Sequence, residues 1–189
     1  MHIERGLFKI AEDQAKGKEV VILLGPRQVG KSYILKWLKK RLEKEKIQTS
    51  FFDLENPQTL LHFNQPDAGV FKLLTQSGRV VFIDEFHYLK NASKLFKAVY
   101  DSKHRVKIFA SGSSSIEIHK HLEESLAGRR YLVKVVPLTV GELETKIGGK
   151  AHDYYLRFGG LPGVINKKNQ QERMNHLQEL IQAYLIKDI

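Results

Sequence analysis

Residues 25–32, Gly-Pro-Arg-Gln-Val-Gly-Lys-Ser, have the residue types and the spacing of a loop that binds phosphate groups. Gly25 and Gly30 allow the backbone to curl, so that successive N–H groups point inward and form a nest for an anion. The apolar run Val-Val-Ile-Leu-Leu precedes the segment and an amphipathic stretch follows it, which is the strand-to-helix context that such a loop requires. The pattern therefore predicts a site for a nucleoside triphosphate.

Two side chains at the end of this loop have further roles in the predicted site. Lys31 can reach the β- and γ-phosphates as a point charge, and the Ser32 hydroxyl can complete the coordination of Mg²⁺. The residues predicted to contact the nucleotide here are Gly25, Pro26, Arg27, Gln28, Val29, Gly30, Lys31, Ser32 and Tyr33.

A second motif supplies acidic side chains. The strand predicted at 79–83 is nearly all apolar and runs into Asp84 and Glu85. Ligands of open parallel sheets bind at the carboxyl ends of the strands, so Asp84 is predicted to hold Mg²⁺, largely through a water molecule. Glu85 is predicted to be the base that polarises the attacking water. An acidic residue beside the magnesium aspartate favours ATP hydrolysis over the kinase and GTPase arrangements.

Polar residues near two later strands are further candidates. Residues 111–115, Ser-Gly-Ser-Ser-Ser, end the fourth predicted strand. Ser113 is the preferred residue for sensing the γ-phosphate and Ser111 the next, although serines are equally common as turn and cap residues. Arg129 precedes the fifth strand, where a guanidinium can stabilise charge on the transferring phosphoryl group, and a surface arginine is an equal alternative. His87 has no partner at metal-ligand spacing.

Alternating strands and helices position these motifs. Apolar strands separated by amphipathic helices are typical of a parallel sheet covered on both faces, so the predicted fold class is α/β. Residues 1–137 are predicted to form the core, and residues 138–189 a small helical lid or the start of a truncated second domain. The predicted strands are 20–24, 48–54, 79–83, 106–110 and 131–136. The predicted helices are about 31–45, 67–77, 92–100, 114–126, 139–147, 151–158 and 169–187.

Composition and charge restrict the classes of function. The 189 residues include no cysteine, which excludes disulfides, thiolate metal sites and cysteine nucleophiles. No signal peptide and no apolar run of membrane-spanning length is found, so a cytoplasmic protein without membrane contact is predicted. The net charge is +10, and many cations fall on the helix predicted at about 31–45. This basic surface is either a solvated face or a surface for nucleic acid or an acidic partner.

Taken together, these residues resemble the AAA-type ATPases of the DUF4143-associated family, a branch of the archaeal-ATPase and STAND-like P-loop proteins. The resemblance implies a P-loop NTPase fold of the ASCE/AAA type, with a five-stranded parallel sheet, and implies ATP and Mg²⁺ as ligands. It also implies that Pro162 lies against the adenine, and that Arg129 lies near the nucleotide of its own chain or of a neighbouring subunit in a homo-oligomer. The segments that carry it are, in order, Gly25–Ser32, Ile83–Phe86, Ser111–Ser114, Leu126–Arg129 and Phe158–Pro162.

The predicted activity is therefore hydrolysis of ATP with Mg²⁺, using the phosphate loop, the Asp-Glu strand end and a serine sensor. The alternative is a nucleotide-gated switch with little intrinsic hydrolysis, because a lid that is cut short can leave ATP bound but poorly hydrolysed. Binding of nucleic acid by the basic surface can accompany either activity.

Overall fold

Strands and helices alternate along the first two thirds of the chain. The structure is a computed structural model that describes residues 3, 5–113 and 126–187. Its strands are β1 (Val20–Leu24), β2 (Thr49–Asp53), β3 (Val80–Asp84), β4 (Lys107–Gly112) and β5 (Arg130–Lys134). Its helices are α1 (Gly6–Gln14), α2 (Lys31–Lys44), α3 (Pro57–Phe63), α4 (Asp67–Gln76), α5 (Ala92–Asp101), α6 (Val140–Ile147), α7 (Ala151–Phe158), α8 (Pro162–Ile165) and α9 (Gln170–Lys187), with 3₁₀ turns at Phe86–Tyr88 and Gly148–Lys150.

The five strands form one parallel sheet in the order β2-β3-β4-β1-β5. The three middle strands β3, β4 and β1 are buried along their whole length, which explains their nearly continuous apolar sequences. Because all strands run in the same direction, their carboxyl ends meet at one edge of the sheet. The phosphate-loop segment follows β1 at this edge, and Asp84 ends β3 there. The predicted α/β fold with a parallel five-stranded sheet is confirmed.

Aromatic side chains in register across three strands build part of the core. Phe51, Phe82 and Phe109 are register partners, and their rings stack with centroid distances of 6.3 and 5.4 Å. Each buried aromatic ring removes roughly 150–250 Å² of surface from water, so this row fixes the alignment of β2, β3 and β4. That alignment decides which polar residues face one another where the strands end.

Three helices of the structure were not expected from the sequence, namely α1, α3 and the short α8. α1 depends on a tertiary contact, since Phe8 stacks on Trp37 of α2 with a centroid distance of 4.4 Å. α3 begins with an ordinary helix signal that the sequence analysis overlooked: the Asn56 side chain accepts two backbone N–H bonds and Pro57 occupies the first turn. Most of the helix predicted at 114–126 lies outside the described residues.

Contacts divide the chain into two compact units. The first comprises Gly6–Arg27 and Lys31–Val135 and contains the whole sheet. The second comprises the chain up to Arg5, residues Gln28–Gly30 and the chain from Val136 onward. The second unit therefore contains α6 to α9 together with the tip of the phosphate-loop segment.

The second unit has its own small core and its own caps. Thr139 and Glu142 form a capping box at the start of α6, in which each side chain accepts the backbone N–H of the other residue. The Leu138 N–H donates to the Gly160 carbonyl at 2.7 Å, which holds the segment that leads into α8. Within the described part of the chain, no helix is both long enough and apolar enough to cross a membrane.

Candidate functional site

The phosphate-loop segment begins at Gly25, a position that only glycine can occupy. The Val135 N–H donates to the Leu24 carbonyl at 2.7 Å, so the end of β5 packs directly against the end of β1. A Cβ atom at Gly25 would lie 2.1 Å from the Val135 carbonyl oxygen, far inside contact distance. The close approach of two backbones therefore requires this glycine.

The tip of the segment reverses direction through left-handed backbone conformations. The φ angle is +63° at Gln28 and +98° at Gly30. A Cβ atom at Gly30 would lie 3.8 Å from Cγ of Pro162. Pro162, the residue that the resemblance places against the adenine, is thus a close neighbour of the loop tip.

A buried arginine from the start of the chain holds this tip. Arg5 is 6% exposed, and its Nη1 donates to the Val29 carbonyl at 2.9 Å. Nη2 donates to the Val136 carbonyl at 2.7 Å, and Nε donates to Oε1 of Glu142 at 3.2 Å. One guanidinium group therefore ties the loop tip to the start of α6, which is the kind of rigid, forked contact that arginine makes and lysine cannot.

Lys31 curls back over the loop. Its side chain is buried, and Nζ donates to the carbonyls of Gly25 at 3.0 Å and Pro26 at 2.9 Å. Burial lowers the pKa of Lys31, and the nearby carboxylates of Glu85 and Asp84 oppose this effect. An ammonium group that is held by two neutral carbonyls can exchange them for phosphate oxygens, with which it makes stronger, charge-assisted bonds.

Asp84 joins the phosphate loop to the neighbouring strand. It is 3% exposed, and its carboxylate accepts a hydrogen bond from the hydroxyl of Ser111. Burial raises the pKa of Asp84, and the hydroxyls of Ser111 and Ser32 oppose the increase. A carboxylate and a hydroxyl are the hard oxygen ligands that Mg²⁺ prefers, so Asp84 and Ser32 fit the ion. The structure thus brings the two predicted magnesium ligands together.

Ser111, the second serine candidate, contacts Asp84. Because Ile83 is paired with Ala110, the next residue of β4 faces the next residue of β3, so Ser111 reaches Asp84. The Ser111 hydroxyl also accepts the Glu85 backbone N–H at 3.3 Å.

Glu85 is held in a strained conformation beside a histidine. Its φ angle is +54°, an uncommon value for a residue with a side chain and one that is concentrated at functional sites. Oε2 lies 3.2 Å from Nδ1 of His87, although the ring nitrogen is not aligned for a hydrogen bond. Burial by itself would raise the pKa of Glu85, but the contact with His87 and the charges of Lys31 and Arg27 outweigh it and lower the pKa. Glu85 is therefore ionised at neutral pH.

Arg129 lies at the opposite edge of the sheet. Its carbonyl accepts the Val20 N–H at 2.9 Å, at the amino end of β1, and its Nε donates to Asp101 at 2.9 Å. The phosphate loop follows the other end of β1, about 17 Å away at about 3.3 Å per residue, which is beyond the reach of an arginine side chain. The prediction that Arg129 lies near the nucleotide of its own chain is therefore wrong, because a residue that precedes a parallel strand lies at the wrong edge.

Two residues near the site were missed or set aside by sequence reasoning. Arg5 lies far upstream of the loop in a segment without a motif, so no local pattern indicates its contact. His87 was considered only as a metal ligand, whereas its position two residues after Glu85 allows the contact that the structure shows. Of the predicted nucleotide contacts, four are exposed, namely Pro26, Arg27, Gln28 and Tyr33.

Comparison with protein families identifies an AAA domain. A family model described as an AAA domain matches residues 17–144, which include the sheet, the phosphate loop, Asp84 and Glu85. A comparison with curated protein sequences gives no match.

Solved structures share the fold at low sequence identity. DnaA from Aquifex aeolicus, bound to AMPPCP, has a TM-score of 0.53 and 13% identity, and the match covers 92% of this chain and 58% of DnaA. A replication initiator DnaA bound to AMPPCP and single-stranded DNA has a TM-score of 0.56 and 12% identity, with 95% and 62% covered. The S. cerevisiae Hsp104–ADP complex has a TM-score of 0.56 and 18% identity, with 84% and 26% covered. The chain thus spans about three fifths of the DnaA chains and about a quarter of Hsp104.

Proposed function

Because the chain belongs to the AAA domain family, we propose that it binds ATP together with Mg²⁺ and hydrolyses the ATP. The observation that best supports this proposal is the position of Asp84, a buried carboxylate that is bonded to Ser111 of β4 and close enough to Ser32 of the phosphate loop for its hydroxyl to lower the pKa of Asp84. Lys31 and Glu85 are close enough to change each other's pKa. Groups suited to hold phosphates, a divalent cation and a reacting water molecule therefore lie at one edge of the sheet.

In the proposed site, the loop backbone and Lys31 bind the phosphate groups. Lys31 gives up its contacts with the two loop carbonyls and donates to phosphate oxygens instead. Ser32 and Asp84 hold the magnesium ion, which when bound neutralises charge on the β- and γ-phosphates. Pro162, beside the loop tip, supplies an apolar surface for the adenine.

Glu85 is the proposed general base. Its lowered pKa keeps the carboxylate ionised at neutral pH, so it can orient a water molecule and accept its proton. His87 lies against Oε2, and Oε1 is the oxygen that we assign to the water molecule. Ser111 contacts both Asp84 and the Glu85 backbone, so it takes the sensor role that the sequence analysis assigned first to Ser113.

Steady-state hydrolysis of Mg·ATP by the full chain tests this assignment. Glu85→Gln preserves the shape of the side chain but removes the base, so turnover should fall by about 10²–10⁴-fold. The affinity for Mg·ATP should change by less than about threefold, because the substitution leaves the phosphate-binding groups in place. The matched control is Glu144→Gln, the same chemical change at an exposed position of α6, which should leave turnover unchanged.

Lys31→Ala tests the binding half of the proposal. Removal of a buried cation from the phosphate loop should weaken Mg·ATP binding by at least tenfold, measured by calorimetry. Undiminished turnover in Glu85→Gln would remove Glu85 from the mechanism. Undiminished affinity in Lys31→Ala would show that the triphosphate does not bind at this loop.

A separate observation favours the alternative function, a nucleotide-gated switch. Arg5 connects the loop-tip carbonyl of Val29 with the carbonyl of Val136 and with Glu142 on α6. A change in the conformation of the loop tip on nucleotide binding would therefore be transmitted through Arg5 to the start of α6. A chain that retains ATP without turnover, and whose α6 amides exchange at different rates with ADP and with ATP, would support the switch. Equal exchange in both states would contradict it.

Several finer proposals follow from the sequence analysis. Within the AAA domain family we assign the chain to the DUF4143-associated branch, on the five segments quoted above, with residues 138–189 as a lid on the ATPase core. In a homo-oligomer, Arg129 of one subunit would be available to the nucleotide of another. A cytoplasmic location accords with the absence of cysteine, and the net charge of +10 keeps nucleic acid among the candidate partners.

A further inference from the structure

A cavity of about 560 Å³ opens at the amino-terminal edge of the sheet, where the chain enters β1 and β4. The whole cavity belongs to the first unit. It lies at the end of the strands opposite to the phosphate loop, and none of its lining residues takes part in the proposed ATP site. Its volume is in the range of sites that hold small ligands.

Five cationic side chains line this cavity, which we call the basic pocket. Four of them are exposed at the rim and the fifth, Lys107, is buried at the start of β4. The five are Lys16, Lys18, Lys103, Arg105 and Lys107. No ion pair of these five is found among the described residues, and Lys18 instead lies over the Tyr100 ring with Nζ 4.3 Å from the centroid.

The acidic groups near the basic pocket are few. The Asp101 carboxylate is engaged by Arg129, whose Nε donates to it at 2.9 Å. Glu19 is close to Lys107 and favours its charged form, but it is one carboxylate beside five cations. The local field is therefore strongly positive, which concentrates anions.

Lys107 is the buried residue at the floor of the basic pocket. Its side chain is 6% exposed, and Nζ donates to the Glu19 backbone carbonyl. An ammonium group has three N–H donors, and the described residues supply this one acceptor. Burial lowers the pKa of Lys107 to about 8, which measures how poorly the charge is compensated. A buried ammonium group with unused N–H donors is costly, and an anion in the cavity would supply the missing acceptors.

We propose that the basic pocket binds the phosphate groups of an anionic ligand. Phosphate oxygens are strong acceptors, and charge-assisted bonds from Lys107, Lys103 and Arg105 would satisfy donors that the protein leaves open. Two kinds of ligand present phosphate oxygens in this way: a small oligophosphate and the phosphodiester backbone of a single-stranded nucleic acid. Both predict a second anion site on the edge of the sheet that the ATP site does not use.

Calorimetric titration with inorganic tripolyphosphate tests the site. The full chain carries Lys31→Ala in these titrations, so that the phosphate loop does not contribute. The test variant adds Lys103→Gln and Arg105→Gln, which are exposed positions where glutamine leaves the fold intact. The matched control adds Lys40→Gln and Lys44→Gln on the exposed face of α2, which removes the same net charge elsewhere. We expect the test pair to weaken tripolyphosphate binding by at least tenfold and the control pair by less than threefold.

The nucleic-acid arm uses a 20-nucleotide oligothymidylate over a range of salt concentrations. If the ligand is a nucleic-acid backbone, the slope of log K against log salt concentration should become shallower by about 0.7 for each phosphate contact that the test pair removes. The control pair should leave this slope unchanged. If the pair affects tripolyphosphate alone, the source is a small oligophosphate. A Lys31→Ala chain that binds neither probe, or two pairs with equal effects on both probes, would overturn the proposal.

Discussion

Replacement of Lys107 by methionine should stabilise the protein at neutral pH. Burial lowers the pKa of Lys107 from 10.5 to about 8. Between these two values the unfolded chain holds a proton that the folded chain has released, so the free energy of unfolding rises with pH across this window. Below pH 8 the folded chain must bury a charge that the unfolded chain keeps in water, and this cost is what the substitution removes.

The size of the effect follows from the two pKa values. Their difference, at about 1.36 kcal/mol per pH unit, corresponds to about 3 kcal/mol at pH 7. Methionine has a similar length and no charge, but it leaves the Glu19 carbonyl without its donor, which costs about 1 kcal/mol. We therefore expect Lys107→Met to be more stable than wild type by about 2 kcal/mol at pH 7, and this advantage to disappear by about pH 10.5.

Urea unfolding in phosphate-free buffer measures this difference, with fluorescence of Trp37, the one tryptophan, as the signal. Other lysines and tyrosines also titrate at high pH, so the quantity to follow is the difference between variant and wild type at pH 7, 8, 9 and 10.5. Lys103→Met is the matched control, because its side chain is exposed and its substitution should change the free energy of unfolding by less than about 0.5 kcal/mol.

Two results would refute the reasoning. One is a Lys107→Met chain that is less stable than wild type at pH 7. The other is a difference between the two chains that stays the same from pH 7 to pH 10.5. Either would mean that the charge of the Lys107 ammonium group is well compensated in the folded protein. The argument that Lys107 has unused donors for an anion in the basic pocket would then fail.

Three further substitutions test the site and its support. Arg5→Lys should lower the free energy of unfolding by about 3 kcal/mol and weaken ATP binding, because the single nitrogen of a lysine ammonium cannot reach the three acceptors that the guanidinium fork spans; wild-type stability and affinity would contradict this. Gly25→Ala should destabilise the chain by more than about 2 kcal/mol in urea unfolding, whereas Gly141→Ala, in open space on a helix, should stabilise it slightly. Ser111→Ala removes a hydrogen bond that lowers the pKa of Asp84, the proposed magnesium ligand. Mg²⁺-dependent ATP binding should therefore fail at a higher pH than in wild type as the solution is acidified. Ser113→Ala should leave this pH profile unchanged, and equal effects of the two substitutions would contradict the assignment.

The parts of the site that the sequence predicted are those held by local geometry. The phosphate loop lies between a strand and a helix that adjoin it in sequence, and Asp84 ends an apolar strand, so periodicity alone positions both. Periodicity alone does not show which of Ser111 and Ser113 contacts Asp84. The choice between them depends on the register of β4 against β3, which long-range packing decides.

The parts that the sequence did not predict depend on contacts between distant residues. Arg5 finds its acceptors at Val29, Val136 and Glu142, and nothing near Arg5 in sequence indicates them. The position of Arg129, in contrast, could have been worked out from the sequence. A residue that precedes a strand of a parallel sheet lies at the amino edge, so the predicted topology already excluded a position near the phosphate loop of the same chain.

The strand order has a consequence for how the chain acquires its structure. β1 leaves the ribosome before its partner strands β4 and β5, with which Val21 pairs at Phe109 and at Tyr131. β2 and β3 are joined by a shorter connection and can pair first. Until β4 is synthesised, the fully apolar β1 has no strand on either side, and it is open to association with other chains or to chaperones. Nascent or truncated chains that end before β4 should therefore aggregate.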